Sequence, residues 1–140
     1  MTPGQPEEGV AEEMWRLYVL NRTHWYSQKS DGAWRHIKKP LSVSDLEAHL
    51  KGDLTIGLPS AWNGRAKFIT VDVDTAEVDN LRRLAGCLRD LRVPHLLSFS
   101  GNKGFHADLF VNETEASEVA KATGLLKTLL SQQGVAFDEV

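Results

Sequence analysis

Two short stretches of this chain carry residue types that could act on one substrate. The first reads KFITVDVD from Lys67 to Asp74 and ends in two aspartates, Asp72 and Asp74, with one residue between them. Strand residues two apart point the same way, so both carboxylates would project from one face. Such a pair repels itself unless a cation sits between the two, and Mg²⁺ or Mn²⁺, hard and oxygen-seeking, is the natural occupant. The second stretch is Ser100-Gly101-Asn102-Lys103-Gly104, leading into Phe105 and His106. A hydroxyl, an ammonium and backbone N–H groups in one turn are the chemistry of a phosphate cradle. Carboxylates for a metal beside donors for phosphate describe a site for a metal–nucleotide complex.

Each signal has a plainer reading when taken singly. Asp-x-Asp pairs also close strands ahead of helices, and Asp74 would then simply precede a Thr75 cap. Glycine-rich turns commonly only join strands. A lone strand histidine is more often a satisfied structural group than a functional one. Asp108, two after His106, would either orient the imidazole or serve a structural role, and the structural role is favoured.

The elements that must position these residues follow from spacing. Phe68 to Asp74 reads as a strand, and Thr75 as the N-cap of a helix with the stripe Val78, Leu81, Ala85, Leu88 and Leu91, with Pro94 past its end. His95–Phe99 and Phe105–Val111 read as two more strands. Thr114 caps a second helix with Ala116, Val119, Thr123, Leu126 and Leu130 facing in, and Gly134 sits where a helix-ending glycine belongs. Val135–Val140 begins a fourth strand. The class is α+β, and the order β-α-β-β-α-β is the split βαβ, RRM- or ferredoxin-like antiparallel unit. In that topology the end of the first strand meets the starts of the third and fourth. Asp72, Asp74, His106 and Asp138 would then share one sheet edge. Alternation agrees: Phe105, Ala107, Leu109 and Val111 take one face and leave His106 on the other.

Upstream, residues 1–6 read as a disordered tail and 7–64 as a small N-terminal α/β module, with 65–140 carrying the site. Glu7 to Leu20 has helical spacing at Val10, Met14, Leu17 and Tyr18. Asp31-Gly32 marks a hairpin between Trp25–Gln28 and Ala33–Ile37. Ser44 with Glu47 makes a capping box for a short helix to about Leu50. Leu54–Leu58 is a brief strand, and Pro59 to Gly64 a loop.

Bulk properties narrow the function classes. At 140 residues, with 41% hydrophobic and 25% charged residues, the chain is one ordinary globular domain. No apolar run is long enough to span a bilayer, and the acidic N-terminus is unlike a signal peptide. The single cysteine, Cys87, excludes an internal disulfide framework and a cysteine-rich zinc site, so a cytoplasmic location is expected. A net charge of −3 argues mildly against a dedicated nucleic-acid-binding module. Lys38, Lys39, Arg65 and Lys67, with Arg82, Arg83, Arg89 and Arg92, could still line a local basic groove, although the second group reads more simply as a solvated helix face. His24, His36, His49 and His95 show no ligand spacing, and Trp25 or Trp62 could stack a base. No serine-nucleophile elbow and no GxxxxGK[ST] loop is present.

At these residues the chain resembles the archaeo-eukaryotic primase superfamily, the primase-polymerases. Val71-Asp72-Val73-Asp74 is similar to the family's first motif, and Ser100 to His106 matches its Ser-Gly-x-Lys-Gly-x-His form residue for residue. Phe137-Asp138 looks like the start of the third motif, an apolar residue followed by a carboxylate. His49 to Gly57 is similar to a segment of primase-like proteins from mobile elements and conflict systems. The resemblance covers about residues 45–140. It implies that Asp72, Asp74 and Asp138 hold Mg²⁺ or Mn²⁺, while Ser100, Gly101, Lys103 and His106 bind a nucleoside triphosphate. It implies two-metal nucleotidyl transfer on a single-stranded DNA template or primer-template, with helicase or nuclease domains as companions in a longer parent chain. Family members continue where this chain stops, inside the third motif, so it reads as a fragment or a reduced module with a short fourth strand.

Overall fold

The computed structural model describes residues 7–75, 77–99 and 103–140. The expected tail at 1–6 and the turn residues Ser100, Gly101 and Asn102 lie outside the described residues. Among those described, the chain forms four helices and two antiparallel sheets, an α+β protein. It divides into two compact units, Met1–Asn63 and Gly64–Val140.

The first unit runs α1 (Val10–Tyr18), β1 (Trp25–Gln28), β2 (Trp34–Ile37), α2 (Val43–Leu50), β3 (Thr55–Gly57) and β4 (Ala61–Trp62). The Asp-Gly turn behaves as its chemistry dictates. Gly32 takes φ 86°, and the Asp31 carboxylate accepts the Ala33 N–H at 2.9 Å. Trp25 then pairs with Ile37, and Gln28 with Trp34. The sheet order is β2-β1-β3. Trp25 is the central anchor, 1% exposed, packed with Ala11, Val19, Leu41 and Leu46. Its indole N–H donates to the Lys39 carbonyl at 2.8 Å, which satisfies the ring's single polar group.

Two sequence expectations in this unit are corrected. The capping box of α2 is Ser42 with Asp45, not Ser44 with Glu47. Ser42 holds an extended backbone, and buried Leu41 and Leu46 flank it in one cluster as a hydrophobic staple, which sets the helix start two residues earlier. The loop from Pro59 to Gly64 contains the short strand β4 followed by Asn63 and Gly64, both at positive φ (49° and 71°). An Asn-Gly pair at positive φ is the signature of a type I′ turn.

The second unit runs β5 (Arg65–Val73), α3 (Val78–Leu91), β6 (His95–Phe99), β7 (Phe105–Glu115) and α4 (Ala116–Gln132), with β7 between β5 and β6 and antiparallel to both. Val71, Val73, Ala107 and Leu109 bury one face of this sheet with Leu84, Leu88, Leu126 and Leu130 of the two helices. That burial leaves Thr70, Asp72, His106 and Asp108 on the opposite face, because side chains alternate along a strand.

Here too the structure corrects details. Thr114 does not cap α4: β7 continues to Glu115, Thr114 stands opposite Ala66, and the Ala116 N–H goes to the Gly64 carbonyl at 2.7 Å. Thr75 is not the N-cap of α3; Glu77 is, and the Thr75 hydroxyl accepts the Glu77 N–H at 3.3 Å just ahead of the helix. The buried stripe of α3 is Asn80, Leu84, Cys87 and Leu88, rotated from the expected one, with Val78 57% exposed. Where a fourth strand is expected, the described residues form a single antiparallel bridge between Asp72 and Glu139, and the α+β class is what the structure shows. Ahead of that bridge the backbone groups find other partners. The Val135 N–H bonds the Leu130 carbonyl, and both backbone groups of Ala136 are taken by the Asn80 side chain. No helix among the described residues is long and apolar enough to cross a membrane.

Candidate active site

The site is built where β5 ends. Val71 and Val73 turn inward, at 0% and 2% exposure, and so direct Asp72 outward. Asp72 stands directly across from His106 in the β5–β7 ladder, and His106 in turn faces Ser98 of β6. His106 Nε2 lies 3.2 Å from Asp72 Oδ1, with the two side chains 44% and 35% exposed. That exposure leaves both reachable by a ligand and screens their attraction by water. One row further along the same face, the Thr70 hydroxyl donates to Asp108 Oδ1 at 2.6 Å. Asp108 is thus tied to Thr70 across the strands.

Asp74 is exposed and lies just past the end of β5. Its backbone N–H donates to Asp138 Oδ2 at 2.5 Å. The Asp138 N–H donates to the Asp72 carbonyl at 2.8 Å, and the Asp72 N–H to the Glu139 carbonyl at 2.8 Å. Asp138 is therefore tied to the backbone of Asp72 and Asp74 at this strand end. Gly104 packs onto the same strand end, so close to Val73 and Asp74 that no side chain would fit. Lys103, one residue earlier, is exposed. Ser100 and Gly101 lie outside the described residues. Of the expected site residues, the fold brings together Asp72 with His106 and Asp74 with Asp138.

By donor type this rim suits a hard divalent cation, since carboxylate oxygens are what Mg²⁺ and Mn²⁺ take. Among the described residues no three His, Cys, Asp or Glu side chains are grouped closely enough to hold a metal ion. One Asp138 oxygen is engaged by the Asp74 N–H. Asp72 and Asp74 are the donors left facing outward.

Several of the remaining sequence candidates have defined contacts. His24, Tyr26, His36 and Trp62 form an aromatic cluster in the first unit, with His24 and Trp62 centroids 4.5 Å apart. His49 and His95 each place Nδ1 2.9 Å from a backbone carbonyl. Lys39, Arg65 and Arg82 are in ion pairs with Asp45, Glu113 and Asp79. Sequence reasoning missed Asn80. The available signal was an amide on a helix position four before Leu84, in phase with the buried stripe.

A family match places the chain among the primase-like nucleotidyltransferases, a superfamily that is generally metal-dependent. More narrowly, residues 9–138 match the archaeo-eukaryotic primase domain of TOTE conflict systems, and the chain belongs to that family. No curated protein matches it.

Proposed function

We propose that this chain is the catalytic core of a primase-polymerase, joining nucleoside or deoxynucleoside triphosphates to a 3′-hydroxyl under the direction of a single-stranded DNA template. The observation that carries this reading is the register of Asp72 with His106, which sets the acid-bearing strand end against the phosphate-binding motif. Asp72 and Asp74, with Asp138 beside them, are the residues that would hold Mg²⁺ or Mn²⁺. Bound there, the ions would activate the attacking hydroxyl and neutralise charge on the departing pyrophosphate. Ser100, Gly101, Lys103 and His106 bind and orient the triphosphate, so that positioning and charge neutralisation supply most of the rate. A cytoplasmic setting fits the lone free thiol of Cys87. Helicase or nuclease domains of a longer parent chain are the natural companions of such a core.

The test is template-directed incorporation with Mn²⁺ or Mg²⁺ by the chain and by Asp72→Ala and Asp74→Ala. Activity that survives both substitutions would remove the assignment. Two observations favour a second reading, a non-catalytic module that binds nucleotide or single-stranded nucleic acid: an Asp138 oxygen is engaged by protein, and no three-ligand group is formed among the described residues. That reading expects binding that weakens as salt rises and tolerates loss of the two aspartates.

A further inference from the structure

Asn80 is the one buried polar or charged side chain among the described residues, at 3% exposure. It sits in the first turn of α3, on the face that packs against the sheet, where apolar burial alone would favour leucine. Its Nδ2 donates to the Ala136 carbonyl at 2.8 Å, and its Oδ1 accepts the Ala136 N–H at 2.8 Å. One amide thus takes both backbone groups of one residue, as a neighbouring strand would. Two residues later the Asp138 N–H reaches the Asp72 carbonyl, and Asp138 Oδ2 receives the Asp74 N–H. The pairing of this segment with β5 is one bridge, carried by the Asp138 N–H to the Asp72 carbonyl and the Asp72 N–H to the Glu139 carbonyl.

From this geometry we infer that Asn80 is the positioning residue for Asp138: by holding both backbone groups of Ala136 it fixes where Asp138 meets the backbone of Asp72 and Asp74. The inference rests on the proposed role of Asp138 in the metal site. Asn80 touches neither nucleotide nor ion and acts through the backbone of Ala136. Outer partners that orient ligands of a metal site typically change its affinity by about 10–100-fold when replaced.

The experiment uses the whole chain with Asn80→Ser, which is uncharged and too short to span both backbone groups of Ala136, and Asn80→Asp, nearly isosteric but exchanging the Nδ2 donor for a charged carboxylate oxygen, as a second variant. Amide hydrogen exchange by NMR is read at Asp74, whose N–H meets Asp138, and at Val71 inside β5. Free Mn²⁺ is titrated by electron paramagnetic resonance. The expected result is exchange at Asp74 roughly tenfold faster with Val71 unchanged, and Mn²⁺ affinity lower by about tenfold, matching Asp138→Asn and not worsened in the double variant. Protection at Asp74 that stays intact, or that falls in step with Val71 as general destabilisation would make it, overturns the inference. Mn²⁺ affinity lost in Asp72→Asn but kept in Asp138→Asn and Asn80→Ser also overturns it, and leaves the proposed function standing. Affinity unchanged in Asp72→Asn and Asp74→Asn removes both.

Discussion

A Cβ placed on Gly104 would lie 1.8 Å from the carbonyl oxygen of Val73 and 2.9 Å from the Cα of Asp74. The glycine that closes the Ser-Gly-x-Lys-Gly turn is therefore fixed by contact with the acid-bearing strand. Its lack of a side chain lets its own backbone lie against the end of β5. We predict that Gly104→Ala pushes this turn off the strand end, at a cost of about 1–3 kcal/mol in stability. Chemical denaturation would read the loss of stability. Isothermal titration with a nucleoside triphosphate should show affinity lost beyond what partial unfolding explains.

The 3.2 Å pair of His106 and Asp72 predicts a division of labour. His106→Ala should weaken triphosphate binding roughly tenfold, the scale of a hydrogen bond to a charged group, while Mn²⁺ affinity changes little. Asp72→Asn should do the reverse, weakening Mn²⁺ first. Separate titrations of metal and of nucleotide check this. Equal losses of both ligands in both variants would contradict it.

Removal of divalent ions should abolish incorporation and spare the fold. With a chelator present, template-directed extension should stop, while the melting temperature should fall by no more than the ligand-binding contribution. Restoring Mn²⁺ or Mg²⁺ should restore activity in the same sample. Circular dichroism alongside a primer-extension gel makes both readings.

Asp45 gives the first unit a pH dependence of known sign. Burial pushes its carboxyl up, but hydrogen bonds from the Ser42 N–H and hydroxyl and the nearby Lys39 charge outweigh that, leaving its pKa below the ordinary value. A carboxyl lowered in the folded state adds stability that is fully present above its unfolded pKa, about 3.9, and is lost as pH falls through the folded value. Melting temperatures of the chain and of Asp45→Ala should thus differ at neutral pH and converge in acid below about pH 4. Ser42→Ala should cost about 1 kcal/mol through the same capping box.

Cys87 should report on opening of the second unit's core. Burial, and then the charge of Asp90, push its thiol pKa up, so little thiolate is present near neutrality. Alkylation should be slow in the folded chain and rise steeply with denaturant as α3 leaves the sheet. Fast labelling without denaturant would show the helix detaching under native conditions.

The sequence by itself determined the α+β class, the strand that carries Asp72 and the alternation that sets His106 opposite buried Ala107. These follow from periodicity, which is local: two residues per strand repeat and apolar stripes at helical spacing need only near neighbours. Turn chemistry was legible for the same reason at Asp31-Gly32, and the Asn63-Gly64 pair carried a signal of equal strength.

Only the tertiary structure decided where the helices start and what holds the third acid. Thr75 and Thr114 are cap-type residues by composition, yet neither caps: β7 runs on to Glu115, and α3 begins after Thr75. Strand length depends on a partner strand, and a ladder that finds one overrides a local cap. The stripe of α3 turned to bury Asn80 because Ala136 offered both its backbone groups there, a contact across 56 positions of chain. No window of neighbouring residues contains both partners. The inferred placement of Asp138 beside the backbone of Asp74 rests on that distant contact.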